Sequence, residues 1–166
     1  MIYYELLLNK RNYTIKEKDD NVIIAYNNLL DKYICVFISN VTKLNIESIK
    51  DCIKCLKKIE INHAILIYKN IITPAARKAC LNLVGIKIEL FTELELSINI
   101  FSHKYVHLHE YITEEEREEL MNILSSELQL PKIKKNDIIS RWMDYQTNDI
   151  IKITRKNGYI GYRIVV

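Results

Sequence analysis

Short apolar runs rich in β-branched residues alternate along this chain with segments whose apolar residues recur every three or four positions. Residues 22–26 and 33–38 are dominated by Ile, Val, Phe and Tyr, which predicts the two strands of a hairpin. Residues 46–59 carry Ile, Leu and Cys at helical spacing with lysines between them, which predicts an amphipathic helix. A sheet layered with helices buries both kinds of apolar surface, so the alternation predicts an α/β fold.

The same alternation continues through the first half of the chain. Residues 64–68 form a continuously apolar run, as expected for a strand buried on both faces. Thr73 and Pro74 suit the cap and the first turn of a helix over 74–83. A strand over 86–91 follows. Together these elements predict an N-terminal α/β domain.

The second half predicts a smaller group of helices and strands. The segment 113–116 (Thr-Glu-Glu-Glu) has the pattern of a capping box, which predicts a helix over 114–125. A short helix ending near Trp142 follows, and either Asn136 or Asp137 can cap it.

The end of the chain predicts a β-hairpin. Strands over 149–155 and 159–166 are separated by an Asn-Gly pair at 157–158, which is a strong signal for a tight turn. We place the domain boundary after residue 107. The prediction is therefore an α/β domain over 1–107 followed by a small α+β domain over 108–166.

Composition limits the classes of protein that this chain can be. Its 166 residues are 49% hydrophobic and 27% charged, as in ordinary globular proteins. It has no apolar run of 18 residues and no signal-peptide pattern at its start, so we expect an intracellular protein outside the membrane. Residues 128–166 carry eight basic and three acidic side chains. This charge favours nucleic acid or an acidic protein surface, and it equally suits a solvated surface.

Motifs for catalysis are missing from the sequence. We find no glycine-rich phosphate loop, nucleophile elbow or HExxH helix. A metal-dependent nuclease needs a carboxylate followed two residues later by a lysine, and neither Glu89 nor Glu95 has one. We therefore expect no catalytic residue, no cofactor and no enzymatic activity.

Histidines and cysteines are the candidate metal ligands. His103, His107 and His109 lie within seven residues, but their spacing suits neither one strand face nor one helix face for all three. Cys52 and Cys55 have redox-motif spacing, yet they fall on the apolar side of a predicted helix, so we interpret them as core thiols without disulfides. We expect no metal. A stand-alone metal-dependent nucleic-acid-processing protein that uses the histidines is the alternative hypothesis.

The predicted helix start near Thr73 has chemistry that suits a phosphate backbone. Free amides and the positive end of the helix dipole face outward there, and Arg77 and Lys78 lie beside them. An ordinary helix cap with two solvated basic residues explains the same pattern.

Spaced motifs in the last 37 residues resemble the C-terminal domain of the fifth common subunit of eukaryotic RNA polymerases, a family that also has an archaeal member. The motifs are Leu130-Pro131-x-Ile133, Asp137-x-x-x-Arg141-Trp142, Ile150-Ile151-Lys152-Ile153-x-Arg155 and Tyr162-Arg163-Ile164-Val165. Upstream, residues 72–77 are similar to a Thr-Pro-Ser-Ala segment of that family. The resemblance covers roughly residues 22–166.

This resemblance implies a non-catalytic subunit shared by polymerases I, II and III. It implies an N-terminal jaw domain of nuclease-like topology near downstream duplex DNA, and a C-terminal assembly domain bound to the largest subunit among other core subunits. Carried over by position, the DNA-proximal candidates are Thr73, Pro74, Arg77 and Lys78.

The resemblance also implies a set of assembly and interface residues in the C-terminal domain. Packing within the domain explains Leu130, Ile133 and Tyr162 equally well. The set is Leu130, Pro131, Ile133, Asp137, Arg141, Tyr162 and Arg163.

The chain departs from the family pattern in identifiable places. About 20 residues precede its first predicted strand, where eukaryotic members have a longer helical segment, so we expect a shortened jaw. Asp144 and Asn148 stand where the family has glycines, and both residue types tolerate left-handed backbone. With its many Ile, Lys and Asn residues, the chain resembles a microsporidian or large-DNA-virus form. We expect it in the nucleus, or in a viral factory or virion.

Overall fold

The computed structural model describes residues 3–166, and the chain divides into unit 1, ending at Ile98, and unit 2, Asn99–Val166. The elements of unit 1 are α1 (Tyr4–Lys10), β1 (Thr14–Lys18), β2 (Val22–Asn27), β3 (Lys32–Ile38), β4 (Lys43–Leu44), α2 (Ile46–Lys58), β5 (His63–Tyr68), β6 (Ile71–Ile72), α3 (Pro74–Leu81) and β7 (Lys87–Thr92). Those of unit 2 are β8 (Leu108–Tyr111), α4 (Glu114–Ile123), β9 (Lys132–Ile133), α5 (Ile138–Met143), β10 (Ile150–Thr154) and β11 (Ile160–Val165).

Unit 1 is built on a five-stranded sheet in the order β1-β2-β3-β5-β7. The pairs β1–β2 and β2–β3 are antiparallel, whereas β3–β5 and β5–β7 are parallel. The turn of the β2–β3 hairpin is held by Asn27, whose side chain accepts hydrogen bonds from the amides of Leu29 and Leu30. β5 lies between two parallel neighbours and is buried along nearly its whole length, which confirms the strand predicted from its continuous apolar run.

The helices α2 and α3 bury their apolar sides in one core cluster of unit 1. Ile49 and Leu56 of α2 pack there, which confirms the predicted amphipathic helix. Cys35 is buried in the cluster and Cys52 packs against it, and burial raises the pKa of each of these thiols to about 12. Cys55 packs against the same cluster, so the interpretation of the Cys-x-x-Cys pair as core thiols is confirmed.

Two elements near the start of unit 1 were not predicted. α1 is only seven residues long, and it is fixed by the fully buried Leu7 and Leu8. β1 has the sequence Thr-Ile-Lys-Glu-Lys and is mostly exposed, so it lacks the apolar alternation that identifies a half-buried strand. Neither element has a local sequence pattern from which it could be predicted.

Unit 2 is a four-stranded sheet in the order β8-β10-β11-β9. The predicted hairpin is confirmed as the antiparallel β10–β11 pair, and Gly158 in its turn has a φ of +82°. The predicted capping box of α4 is also present, and Asp137 rather than Asn136 caps α5. β8 and the two-residue β9, which runs parallel to β11, were not predicted.

The division between the units differs from the predicted boundary, because residues 99–107 group with unit 2. Within that segment the Phe101 ring packs edge-on against Trp142, with 5.6 Å between ring centroids.

Asp144 and Asn148 have φ values of +58° and +74°, so the predicted left-handed positions are confirmed. No helix within residues 3–166 is both long and apolar enough to cross a membrane.

Candidate docking groove and candidate nucleic-acid interface

The DNA-proximal candidates lie at the start of α3 in unit 1. Thr73 Oγ1 accepts a hydrogen bond from the Ala76 amide at 3.2 Å, and Pro74 takes the first turn, so the predicted cap is confirmed. Arg77 and Lys78 follow, and both have exposed side chains. The first turn of α3 contains no carboxylate, so no acid of that turn offsets the positive end of its dipole.

A small parallel sheet brings two helix starts side by side. In this sheet Leu44 of β4 is paired with Ile72 of β6, and the Thr73 amide donates a hydrogen bond to the Leu44 carbonyl at 3.0 Å. The caps of α2 and α3, Asn45 and Thr73, follow these strands directly. The first turn of α2 carries Glu47, so the start of α3 is the more favourable of the two for an anion.

Three of the assembly candidates in unit 2 contribute to packing. Leu130 is buried with Ile150 and Ile164, and Tyr162 packs against this cluster. Ile133 is buried in a second cluster of unit 2. Leu130, Ile133 and Tyr162 therefore pack within unit 2, and their role in an interface stays a prediction.

The remaining assembly candidates have polar or backbone roles. Asp137 Oδ1 accepts a hydrogen bond from the Ile139 amide at 2.9 Å and so caps α5. The Arg141 amide donates to the Asp137 carbonyl at 2.9 Å, and its side chain is half-buried. The Pro131 carbonyl accepts a hydrogen bond from β11 at 2.9 Å. The side chain of Arg163 is exposed.

One groove of about 490 Å³ on unit 2 collects most of these residues. Arg141 is not part of its lining, so the structure does not bring the whole predicted set together. Their role in assembly stays a prediction. The candidates that line the groove are Leu130, Pro131, Ile133, Asp137, Tyr162 and Arg163.

The groove also contains residues that were not chosen as site candidates. Ile153, Arg155, Tyr159 and Gly161 line it, and the guanidinium carbon of Arg155 lies 5.3 Å from the centre of the Tyr159 ring. Alternation within the predicted hairpin strands was the signal available in the sequence. It places Ile153 and Arg155 on one face of the first strand and Gly161 and Arg163 on one face of the second.

The three histidines of the alternative hypothesis do not converge on a common point. The Tyr105 amide donates to His103 Nδ1 at 3.3 Å, whereas His109 Nδ1 lies 2.8 Å from the His107 carbonyl oxygen. Burial lowers the pKa of His109, which favours its neutral form. Within the described chain, the three side chains do not bring their ring nitrogens within 4.8 Å of one another. The alternative therefore gains no support from their geometry.

Unit 1 contains a buried ionic cluster around Glu89 of β7. Both Glu89 oxygens accept hydrogen bonds from Arg11 at 2.8 Å, and His63 Nε2 lies 2.6 Å from one of them. Burial opposes ionisation of Glu89, but the Arg11 charge and the His63 contact outweigh it and hold the carboxyl pKa well below its usual range. The carboxylate that the nuclease comparison singled out is therefore engaged by a cation of the same unit.

Two comparisons with known proteins agree on one family. Residues 98–165 match the family model described as RNA polymerase Rpb5, C-terminal domain. The chain is 33% identical over 141 residues to the "DNA-directed RNA polymerases I, II, and III subunit rpabc1" of Dictyostelium discoideum. The aligned region covers 80% of this chain and 72% of the relative. It is 30% identical over 154 residues to the RPABC1 subunit of Caenorhabditis briggsae, covering 89% and 73%. The chain belongs to the Rpb5 family, the fifth common subunit of the eukaryotic RNA polymerases.

Proposed function

We propose that this chain is a non-catalytic, shared subunit of a DNA-dependent RNA polymerase. In this proposal unit 2 docks on the largest subunit, and unit 1 acts as a jaw of nuclease-like topology near downstream duplex DNA. The relatives are named as subunits of polymerases I, II and III, which supports membership of such a complex. Eukaryotic polymerase subunits are nuclear in general, so we propose a nuclear location, or a viral factory or virion if the chain is viral.

The groove on unit 2 is the observation that carries the docking role. It lies within the part of the chain that matches the Rpb5 C-terminal domain. Residues from three separate ranges, 105–109, 130–139 and 153–163, meet there. Such a concave surface with apolar walls and a few polar groups is typical of a binding site.

A pull-down of the tagged full-length chain from its native cells tests the proposed function. Mass spectrometry should recover the largest polymerase subunit in about equal molar amount with the tagged chain. Recovery of subunits specific to all three nuclear polymerases would support the shared role, and one viral set would support the viral form. A tagged chain that elutes alone, with no large polymerase subunit, would contradict the proposal.

The start of α3 supports the proposed position near DNA. Arg77 and Lys78 are exposed on α3, Lys78 in its last turn, and the first turn of the helix contains no acid, a combination that suits a phosphate backbone. Changing Arg77→Ala and Lys78→Ala in the assembled polymerase should weaken downstream-duplex binding. It should also reduce the slope of log K against log salt by about one unit per lost phosphate contact.

A matched pair of substitutions controls for the loss of charge alone. Lys57→Ala and Lys58→Ala remove the same charge from exposed positions in the last turn of α2. We expect this control to leave the salt slope within error of the unmodified polymerase. An unchanged slope in the α3 variant would restrict Thr73 and Pro74 to a capping role and reject the DNA contact.

A further inference from the structure

The two faces of the unit 2 sheet carry different clusters of apolar residues. On one face Leu120 and Leu124, in and just after α4, pack against the cluster that contains Ile150 and Ile164. On the opposite face Met143 of α5 packs with Ile151 and the other members of the second cluster. Ile153, Gly161 and Arg163 of that second face line the groove, together with Leu130 and Tyr162 of the first cluster.

The centre of the groove is lined by residues of three neighbouring strands. His109, Ile153 and Gly161 are direct neighbours across β8, β10 and β11. A Cβ atom added at Gly161 would meet one ring atom of Tyr159 at 3.5 Å, an ordinary van der Waals distance, so the position above this glycine has room for a methyl group. A small apolar group of a partner can therefore approach the sheet beside Ile153.

Two arginines flank this centre along the strands. Arg163 lies two residues beyond Gly161 on β11, and Arg155 lies two residues beyond Ile153, so alternation places both on the groove face. Both side chains are exposed. In the described part of the chain, neither guanidinium forms an ion pair with a carboxylate.

The groove lining therefore has an excess of positive charge. Asp137 is the carboxylate in the lining, and one of its oxygens is already committed to capping α5. Arginine is the side chain best suited to bind a carboxylate through two parallel hydrogen bonds. The volume of about 490 Å³ accommodates a few side chains of a partner rather than a folded element.

The charge of the whole unit favours a protein carboxylate over a nucleic acid. Residues 99–127 carry seven acidic and two basic side chains, whereas residues 128–166 carry three and eight. Unit 2 is therefore close to neutral overall, and the acidic start of α4 (Glu114, Glu115 and Glu116) would repel a long polyanion. A short acidic segment in the groove would meet Arg155 and Arg163, with Asp137 as the carboxylate of the lining.

We infer that the groove receives an acidic segment of the largest polymerase subunit, with carboxylates paired to Arg155 and Arg163 and an apolar side chain above Gly161. The inference rests on the proposed docking of unit 2 on that subunit, and it specifies the chemistry of the segment that docks. Charge pairs of this kind fix the register of an interface and discriminate against partners that lack the acids.

Charge reversal at the two arginines tests the inference in the full-length chain. Arg155→Glu combined with Arg163→Glu should reduce recovery of the largest subunit in a pull-down by about tenfold or more. Lys156→Glu is the matched control, because this exposed lysine lies in the hairpin turn outside the groove lining. It should change recovery by less than about twofold, as expected for a rim charge. Circular dichroism and thermal unfolding of each free chain check that the variants fold.

Filling the groove provides a test that does not change charge. Gly161→Phe places a ring in the centre of the groove, whereas Gly161→Ala adds one methyl group to the same position, where the structure has room for it. We expect Gly161→Phe to lose the largest subunit and Gly161→Ala to retain it. Equal recovery by both variants would overturn the placement of the partner in the groove.

Carbodiimide cross-linking tests the acidic nature of the segment directly. Arg163→Lys introduces an amine that a carbodiimide joins to a nearby carboxylate as an amide, with loss of water. Mass spectrometry of the assembled polymerase should then find a new link from position 163 to an Asp or Glu of the largest subunit. Recovery of that subunit without such a link, together with unaffected charge-reversal variants, would reject this inference and leave the proposed function standing. Failure of the unmodified chain to recover the subunit would reject both.

Discussion

The arginines of units 1 and 2 differ in burial and in charge pairing. In unit 1, Arg11 has only 3% of its side chain exposed and binds Glu89 through both carboxylate oxygens. In unit 2, Arg155 and Arg163 are exposed in the groove lining, without an ion pair in the part of the chain that the structure describes. The Arg11 guanidinium is paired within its own unit, whereas the guanidinium groups of Arg155 and Arg163 are accessible to a partner.

This difference predicts which substitutions act on folding and which act on assembly. A buried charge that loses its partner destabilises the fold strongly, because the remaining charge stays desolvated. An exposed charge contributes little to folding, but it can contribute much once a partner excludes water from it. Unit 1 variants at the Glu89 cluster should therefore change stability, and unit 2 variants at the groove arginines should change subunit recovery.

The largest expected effect on folding is at Arg11. Arg11→Ala leaves the Glu89 carboxylate buried without its bidentate partner, so we expect a loss of about 3–5 kcal/mol in the free energy of unfolding of unit 1. Urea unfolding with hydrogen-exchange readout in unit 1 measures it. Lys18→Ala breaks the exposed pair with Glu5 and is the matched control, for which we expect a far smaller change. Equal losses in both variants would contradict the special role of the buried pair.

The same cluster predicts a particular pH dependence. The pKa of Glu89 is held below its unfolded value, so between the two values the unfolded chain binds a proton that the folded chain does not. The stabilisation by Glu89 is therefore complete above about pH 4.3 and is lost as the pH falls toward the folded pKa. Glu89→Gln should flatten the acid branch of the stability curve. An acid branch unchanged from the original chain would show that Glu89 does not contribute to it.

A substitution at Leu130 separates packing from docking in unit 2. Leu130 is buried with Ile150 and Ile164, so Leu130→Ala should cost about 2–4 kcal/mol in the stability of unit 2. Thermal unfolding of the free chain measures this loss, and Leu130→Met should cost about 1.5 kcal/mol or less because it conserves volume. Normal stability together with lost recovery of the largest subunit would assign Leu130 to the interface instead.

The smallest expected effect is at the cap of α3. Thr73→Ala removes the acceptor for the Ala76 amide and should cost about 1 kcal/mol, whereas Thr73→Ser keeps the hydroxyl and should cost less. Urea unfolding of the free chain compares the two. If Thr73→Ala and Thr73→Ser are equally stable, the cap hydrogen bond does not stabilise unit 1.

Local chemistry made much of this fold predictable from sequence. The capping box at Thr113, the Thr73-Pro74 helix start and the Asn-Gly turn at 157–158 each depend on neighbouring residues, and each is present. α1, β4, β6, β8 and β9 escaped prediction because they are short, and β1 because its mostly exposed residues lack an apolar alternation. The partnership of Arg11 with Glu89 spans 78 positions, so no local pattern could reveal it.

The candidate site shows the same division. The resemblance to the polymerase subunit family identified residues from separate segments, and the fold gathers Leu130, Pro131, Asp137 and Arg163 around one groove. Arg155 and Gly161 were missed as site residues because alternation shows which residues share a strand face, but not which face lines a groove. The strand register places Gly161 beside Ile153 in the groove lining.

Hydrogen exchange of the free chain and of the chain assembled in polymerase tests the contrast between the two units most directly. We expect amides of residues 153–163 to become markedly more protected on assembly, because the partner covers the groove. We expect little change in β7 around Glu89, where the charges are already paired. Unchanged protection across residues 153–163 in a stoichiometric polymerase complex would contradict the claim that a partner completes unit 2.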